Sequence, residues 1–484
     1  MSFSTRRRNY LLTPHRRDGL IEWMKSMLSH SFVLDCLEDT GPDTFSHFEV
    51  LIDEHRRLES EGSLRPSRLK QLVPTVGTFH TRLPLRQAFE VYNDKHFLTK
   101  RKHIQISFNE IRHILNLAQV IAMRYPEGCS DRISTSEDED FSKNLEDDAE
   151  IKEETIAPGP LKGPSMICFD GDQTLYSDGS NFDSNPRLAN YLYLLLRHGV
   201  SVAIVTAAGY EYNADKYEFR LSGLLEYFKA KKLTQEECER FYLFGGECNY
   251  LLHLGNDFHL HPVRETGRGG WMTATKYLPD APANWSEEEL KELLDVAYEA
   301  VEESVKDQQI RGRILRKIRS VGLVPNPGSS IPREALDETV LRCQAKLTGM
   351  NGGTGPRIPF CAFNGGTDAW VDVGNKRVAV EILASYLGVN PQEILHIGDQ
   401  FLNTGNDFAA RAVCPCIWIT SPEETTYILK TILRLAGIDY QLDNEKEAKA
   451  ILAGNPTSAI DFSEVERRTK VVQEMDVYTG EIKK

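Results

Sequence analysis

Two carboxylates stand two residues apart in Phe169-Asp170-Gly171-Asp172-Gln173-Thr174, directly behind the apolar run Ser165-Met166-Ile167-Cys168. Residues i and i+2 of an extended segment project to the same side, so both acids can face one reacting group. A carboxylate can accept a phosphoryl group if a metal neutralises the transferring oxygens and a second acid protonates the leaving oxygen. In that chemistry Asp170 attacks, and Asp172 donates and then recovers the proton.

Three further segments supply what such a reaction lacks. Val205-Thr206-Ala207-Ala208-Gly209 ends an apolar run with a hydroxyl and small residues, whose N–H groups can hold a phosphate. Asp372-Val373-Gly374-Asn375-Lys376 puts Lys376 in the first turn of a helix running to about Leu387, where it can bridge the nucleophile and the phosphoryl group. Ile397-Gly398-Asp399-Gln400-Phe401-Leu402-Asn403-Thr404-Gly405-Asn406-Asp407 offers hard oxygen ligands at a strand end, which suit Mg²⁺. Asp399 is the expected direct ligand, with Asn403 and Asp407 in a supporting shell. Each segment alone is an ordinary turn or helix cap; together, and in this order, they compose one phosphoryl-transfer site.

These residues need a parallel sheet to bring them to one edge. Apolar runs at Ser165–Phe169, Val200–Val205, Ile394–Ile397 and Cys416–Ile419 alternate with helical stretches, as in an α/β fold. Between the first two lies a punctuated helix with Asn185 as N-cap, Pro186 at its first position and Gly199 as its stop. The gap from Val205 to Ile394 far exceeds an ordinary crossover, so a second domain is inserted there. The expected division is a helical N-terminal domain at 1–129, an acidic linker at 130–160, a catalytic core at 161–209 and 371–455, an inserted domain at 210–370 and a polar tail at 456–484.

A chain of 484 residues, 40% of them hydrophobic, can fill sizeable cores, and a formal charge of -14 argues against a nucleic acid or an anionic membrane as its main partner. Nine cysteines without a CxxC pair read as free thiols in a reducing compartment. The basic opening Arg6-Arg7-Arg8 is followed by no apolar stretch, and no run reaches the ~20 residues of a membrane span, so a cytoplasmic protein is expected.

With its four motifs in this order, the chain resembles the haloacid dehalogenase superfamily of phosphotransferases. The resemblance implies a Rossmann-like core with an inserted α+β type-2 cap and an aspartyl-phosphate on Asp170. It also implies that Thr206 and Lys376 hold the phosphoryl group, and that Mg²⁺ is held by Asp170, the main-chain carbonyl of Asp172, and Asp399. The long helical N-terminal region, the segment Phe169 to Asp178, and Asn364-Gly365-Gly366-Thr367-Asp368-Ala369-Trp370-Val371-Asp372 leading into Lys376 are similar to the IMP-specific 5'-nucleotidase family. That resemblance implies hydrolysis of IMP to inosine and phosphate, with Asp172, Asp178, Thr206, Thr367, Asp368, Asp372 and Lys376 at the substrate. It implies a homotetramer activated by ATP through the N-terminal region, where Lys100, Lys102, His103, Arg112, His113 and Asn116 become the effector contacts. A hexose-phosphate phosphatase or phosphomutase on the same core is the alternative enzyme, and an inactive nucleotide-sensing scaffold the alternative outside catalysis.

Overall fold

The computed structural model describes residues 18–29, 37–101, 103–125, 163–177, 180–182 and 185–442. The expected acidic linker and polar tail, together with Lys102 and Asp178, lie outside the described residues. Eleven strands occur among them: β1 (Met166–Phe169), β2 (Ser201–Val205), β3 (Phe241–Gly245), β4 (Tyr250–Leu254), β5 (Leu260–Pro262), β6 (Gly312–Arg316), β7 (Ser320–Pro325), β8 (Phe360–Asn364), β9 (Ala369–Val373), β10 (Ile394–Gly398) and β11 (Cys416–Trp418).

Seven of them form one sheet in the order β11-β10-β1-β2-β3-β4-β5. The first five run parallel, and β4 and β5 close the far edge antiparallel. β1 is buried at every position, as a strand covered on both faces must be. Register sets the functional edge: Phe169 lies beside both Ile397 and Ile204, so Asp170, Asp399 and Thr206 leave the sheet within one residue of the same level. This is the carboxyl end of a parallel sheet, where open α/β folds bind ligands.

The helix Pro186–Arg197 joins β1 to β2, and Asn185 caps it by accepting from the Leu188 N–H. Gly199 takes a positive φ of 83° directly behind it, which suits a residue without a Cβ. A second helix, Lys376–Leu387, starts at the expected residue, and its N-cap Asn375 accepts from the Val378 N–H at 3.1 Å.

The insertion differs from the expected division. β3, β4 and β5, placed by the sequence in the inserted domain, extend the core sheet, with β3 pairing parallel to β2. The β4–β5 hairpin has no crossover helix of its own, so alternation of strand and helix gave no sign that the core continued. The inserted cap is a four-stranded antiparallel sheet, β6-β7-β9-β8, and β9, which contains Asp372, belongs to it. Helices Glu287–Asp307 and Arg333–Thr348 cover one face through Leu293, Ala297, Leu336 and Val340 against Val321, Leu323 and Val371. Alternation then turns Ser320, Trp370 and Asp372 to the opposite face, which looks onto the core. Gly322 sits opposite Trp370, and a Cβ there would collide with the indole.

The N-terminal region is helical, as expected, with helices Gly19–Leu28, Leu37–Ser60, Leu85–His96 and Phe108–Arg124. The last of these is closed by a capping box of Ser107 and Glu110 and packs against β11 and the helix Pro422–Leu435. No helix among the described residues is long and apolar enough to cross a membrane.

Candidate active site

Asp170, only 5% exposed, follows β1, and its N–H donates to Ile397 O at 2.9 Å. The Lys376 ammonium, fully buried, lies 2.6 Å from Asp170 Oδ1 and 2.7 Å from Asp407 Oδ1. Asp407 is fixed on every side. His396 Nε2 donates to its Oδ1 at 2.7 Å, and the Gln400 N–H donates to its Oδ2 at 2.9 Å. Gly398, ending β10, leaves the space that this carboxylate fills.

The electrostatics follow from three carboxylates around one ammonium. Burial pushes Asp170 up to about 7 although Lys376 pulls the other way. Burial also raises Asp399 well above its ordinary value, and the neighbouring Asp170 and Asp407 add to the shift. For Asp407 the burial penalty is outweighed by Lys376 and His396, which hold its carboxyl below the usual carboxylate range. Lys376 goes up despite burial because Asp170, Asp407 and Glu247 surround it.

This donor set fits a divalent cation. Oxygens of Asp170, Asp399 and Asp407 all lie within 4.8 Å of one another, and Asp399 Oδ1 is buried with no hydrogen-bond partner. Hard carboxylate oxygens in this number suit Mg²⁺. Asp170 and Asp399 are the residues that would hold it. Asp407, with both oxygens already engaged, acts as a support for Lys376 and for the loop.

Asp172 is brought to the same cavity, where the guanidinium of Arg220 pairs with its Oδ1 and lies 4.8 Å over the Tyr176 ring. Thr206 follows β2, buried, with Oγ1 accepting from the Ala208 N–H at 3.1 Å. One of the N–H groups expected to face a phosphate is thus used within the loop, leaving the Thr206 hydroxyl hydrogen as a donor.

The cap supplies the opposite wall of a cavity of ≈ 900 Å³ lined by Asp170, Asp172, Thr206, Lys317, Trp370 and Asp372 among others. Thr367 and Asp368 sit at the tip of the β8–β9 hairpin and also line it. Asn364 holds that tip: its Nδ2 donates to Asp337 Oδ1 at 2.7 Å and its Oδ1 accepts from the Gly366 N–H at 2.8 Å. The Asn364 N–H reaches Thr404 O at 3.0 Å and Gln344 Nε2 reaches Asn403 O at 2.6 Å, joining the cap to the Asp399–Asp407 loop. Burial pushes Asp372 up to about 7, with Lys317 opposing. Lys317 itself stacks 4.3 Å over the Trp370 ring.

Two groups of sequence-derived residues fall elsewhere. Asn403 is exposed and does not line the cavity, whereas Asn406 is buried and donates to Glu247 Oε1 at 3.2 Å. Of the effector residues, Arg112 and Asn116 are buried in the contact with the core. Arg112 pairs with Glu424 at 2.7 Å, His113 Nε2 is 3.2 Å from the same carboxylate, and Asn116 bonds the main chain of Trp418. Their polar atoms tie the helix Phe108–Arg124 to the core, and Arg112 and Asn116 also line a cavity beside Trp418. Lys100 and His103 are exposed.

The sequence reading missed Glu247, His396, Arg220 and Lys317. Glu247 had a signal, since it follows the apolar run Phe241–Phe244 as Asp170 follows β1, but that run was assigned to the cap. Arg220 had none, because it ends the helix Ala214–Arg220 far along the chain from Asp172.

A parallel sheet with a strand-end aspartate, a buried lysine, a cation-ready acidic cluster and an inserted α+β cap defines a haloacid-dehalogenase-like phosphoric monoester hydrolase. A profile of the IMP-specific 5'-nucleotidase family matches residues 41–429. Among curated proteins, the IMP-specific 5'-nucleotidase 1 of Neurospora crassa is 35% identical, covering 88% of this chain and 97% of its own. The Yarrowia lipolytica protein of the same name is 35% identical over 91% of this chain and 98% of its own. Among solved structures, an IMP-bound aspartate-to-asparagine variant of the Plasmodium falciparum IMP-nucleotidase superposes with a TM-score of 0.71 at 33% identity, covering 87% of this chain and 94% of that one. The ATP-bound form of that enzyme gives 0.67 at 34% identity, covering 86% and 85%. The chain belongs to the IMP-specific 5'-nucleotidase family.

Proposed function

We propose that this enzyme is a Mg²⁺-dependent 5'-nucleotidase that converts IMP and water to inosine and phosphate through an aspartyl-phosphate on Asp170. The observation that carries the reading is Lys376 shared between Asp170 and Asp407, beside the unpartnered oxygen of Asp399 and beneath the cap. A bound Mg²⁺ would neutralise phosphoryl oxygens and favour the ionised form of Asp170. Asp170 Oδ attacks phosphorus, the P–O5' bond breaks, and Asp172 gives its proton to O5' so that inosine leaves. Asp172 then takes a proton from water, whose oxygen attacks phosphorus and releases phosphate, regenerating Asp170. Thr206 and Lys376 hold the phosphoryl oxygens throughout. A complete set of this kind argues against an inactive scaffold.

IMP is the substrate named for the relatives, and Thr367, Asp368 and Asp372 on the cap side of the cavity are the residues we assign to it. ATP binds the Plasmodium relative, and we carry it over as an activator acting through the N-terminal region, with Lys100 and His103 as its contacts. The homotetramer of the family is part of the same reading. Phosphate release from IMP, GMP, AMP and glucose 6-phosphate, with and without Mg²⁺ and ATP, tests it. The expected result is Mg²⁺-dependent release from IMP, raised by ATP; faster release from the sugar phosphate would move the reading to the hexose-phosphate alternative.

A further inference from the structure

We infer that Trp418 is a positioning residue for the metal-binding loop, and that the N-terminal domain sets the geometry of Asp399 through it. The inference rests on the metal reading above and adds a residue at the edge of the same cavity that acts through the backbone of Asp399.

Trp418 ends β11, the edge strand of the core sheet, beside Gly398 of β10. Its indole Nε1–H donates to the main-chain carbonyl of Asp399 at 2.8 Å. That bond fixes the backbone from which the candidate ligand projects. An edge strand has outward N–H and C=O groups to satisfy. Here they are satisfied by a side chain of the N-terminal domain: Asn116 Oδ1 accepts from the Trp418 N–H at 3.1 Å, and Asn116 Nδ2 donates to Trp418 O at 2.6 Å. Arg112 adds a second donor to the same carbonyl at 2.7 Å while pairing with Glu424.

The ring is held as firmly as the backbone. Phe108, opening the same N-terminal helix, meets the Trp418 indole edge-on at 5.7 Å. The Arg411 guanidinium lies 5.1 Å over the ring of Phe401, in the metal loop, and 5.8 Å over that of Trp418. Arg411 is itself held by Asp18 at 2.7 Å, and its carbonyl accepts from His80 Nε2 at 3.0 Å. The N-terminal domain therefore grips both ends of the segment that carries Asp399 and Asp407. Among the described residues nothing comparable reaches from the N-terminal helices to Asp170, whose N–H bonds within the sheet.

Groups that orient a metal ligand from behind are worth 10–100-fold in metal affinity. Trp418→Phe keeps an aromatic ring, smaller than the indole, and removes the donor, while Asn116→Ala leaves the indole and loosens the strand from the N-terminal side. Mg²⁺ affinity is measured on the full chain by calorimetry without substrate, alongside thermal stability in EDTA and the kcat and KM for IMP. Both variants are expected to bind Mg²⁺ about tenfold more weakly than the parent. Saturating Mg²⁺ is expected to restore most of kcat, leaving KM for IMP within about twofold. Variants that lose thermal stability yet bind Mg²⁺ as the parent does would reduce Trp418 to a packing residue and overturn the inference alone. A parent enzyme that bound no Mg²⁺ would overturn the metal reading and this inference with it.

Discussion

Replacing Lys376 by Met keeps the unbranched apolar stem and removes the buried cation shared by Asp170 and Asp407. In the parent, Lys376 and His396 outweigh the burial of Asp407 and hold it ionised. Without the ammonium, Asp407 faces burial of the kind that holds Asp170 up at about 7, from an ordinary 3.8, even with Lys376 beside it. At ~1.4 kcal/mol for each tenfold change in proton affinity, keeping one such carboxylate ionised costs about 4 kcal/mol. This agrees with the ~3–5 kcal/mol typical of breaking a buried ion pair from one side. The variant's folded-state value is raised above the unfolded one, so its penalty is absent in acid and grows as pH rises from about 4 to about 7. Denaturation of parent and variant in EDTA at several pH values reads this directly. We expect a stability deficit of about 4 kcal/mol at pH 8 that falls to about 2 kcal/mol at pH 5.5. A deficit that did not change with pH, or one under about 1 kcal/mol at pH 8, would refute the view that Lys376 compensates buried carboxylates.

Asp172→Asn removes the proton donor, and turnover of IMP is expected to fall by about 10²–10⁴-fold. The same variant should lose much less on an aryl phosphate whose leaving group needs no proton, so equal losses on both substrates would sink the acid role. Gly322→Ala drives a methyl into the Trp370 indole and is expected to raise KM for IMP and cost about 1–3 kcal/mol of stability. Unchanged KM would remove Trp370 from the substrate wall. Glu424 is buried, but hydrogen bonds from Arg112 and His113 more than offset that and hold it below its ordinary 4.5. Its contribution is therefore complete above about pH 4.5 and lost as pH falls below it. The gap in melting temperature between the parent and Glu424→Gln should be constant from pH 8 to about 5, begin to narrow below about pH 4.5 and go on narrowing well below pH 4; a gap that does not narrow at all in that acid range would contradict the assignment.

The parts legible in the sequence are those whose signals are local. Asn185, Pro186 and Gly199 mark one helix by capping chemistry, and Asn375 marks the helix that carries Lys376. Asp170, Thr206 and Asp399 were found because strand ends of a parallel sheet can be read from apolar runs, and register then aligned them. What was misread depends on tertiary partners. β4 and β5 join the core by antiparallel pairing with no periodicity to announce it. Asn403 and Asn406 are equivalent on paper, and only the fold of the loop turns Asn406 inward toward Glu247. The family resemblance alone assigns Arg112, His113 and Asn116 to the effector, and no local signal shows what their side chains meet. Trp418 and Glu424, some 300 residues away, convert Arg112 and Asn116 into interface residues.

The central claim is covalent chemistry on Asp170, and it is tested most directly by trapping. Full-length enzyme is mixed with IMP and Mg²⁺, quenched within a single turnover, and reduced with borohydride, which converts an aspartyl-phosphate to homoserine. Peptide mass spectrometry is predicted to find homoserine at position 170 and nowhere else, and none in Asp170→Asn. Full conversion of IMP with an unmodified Asp170 at every quench time, or label on another carboxylate, would contradict the account.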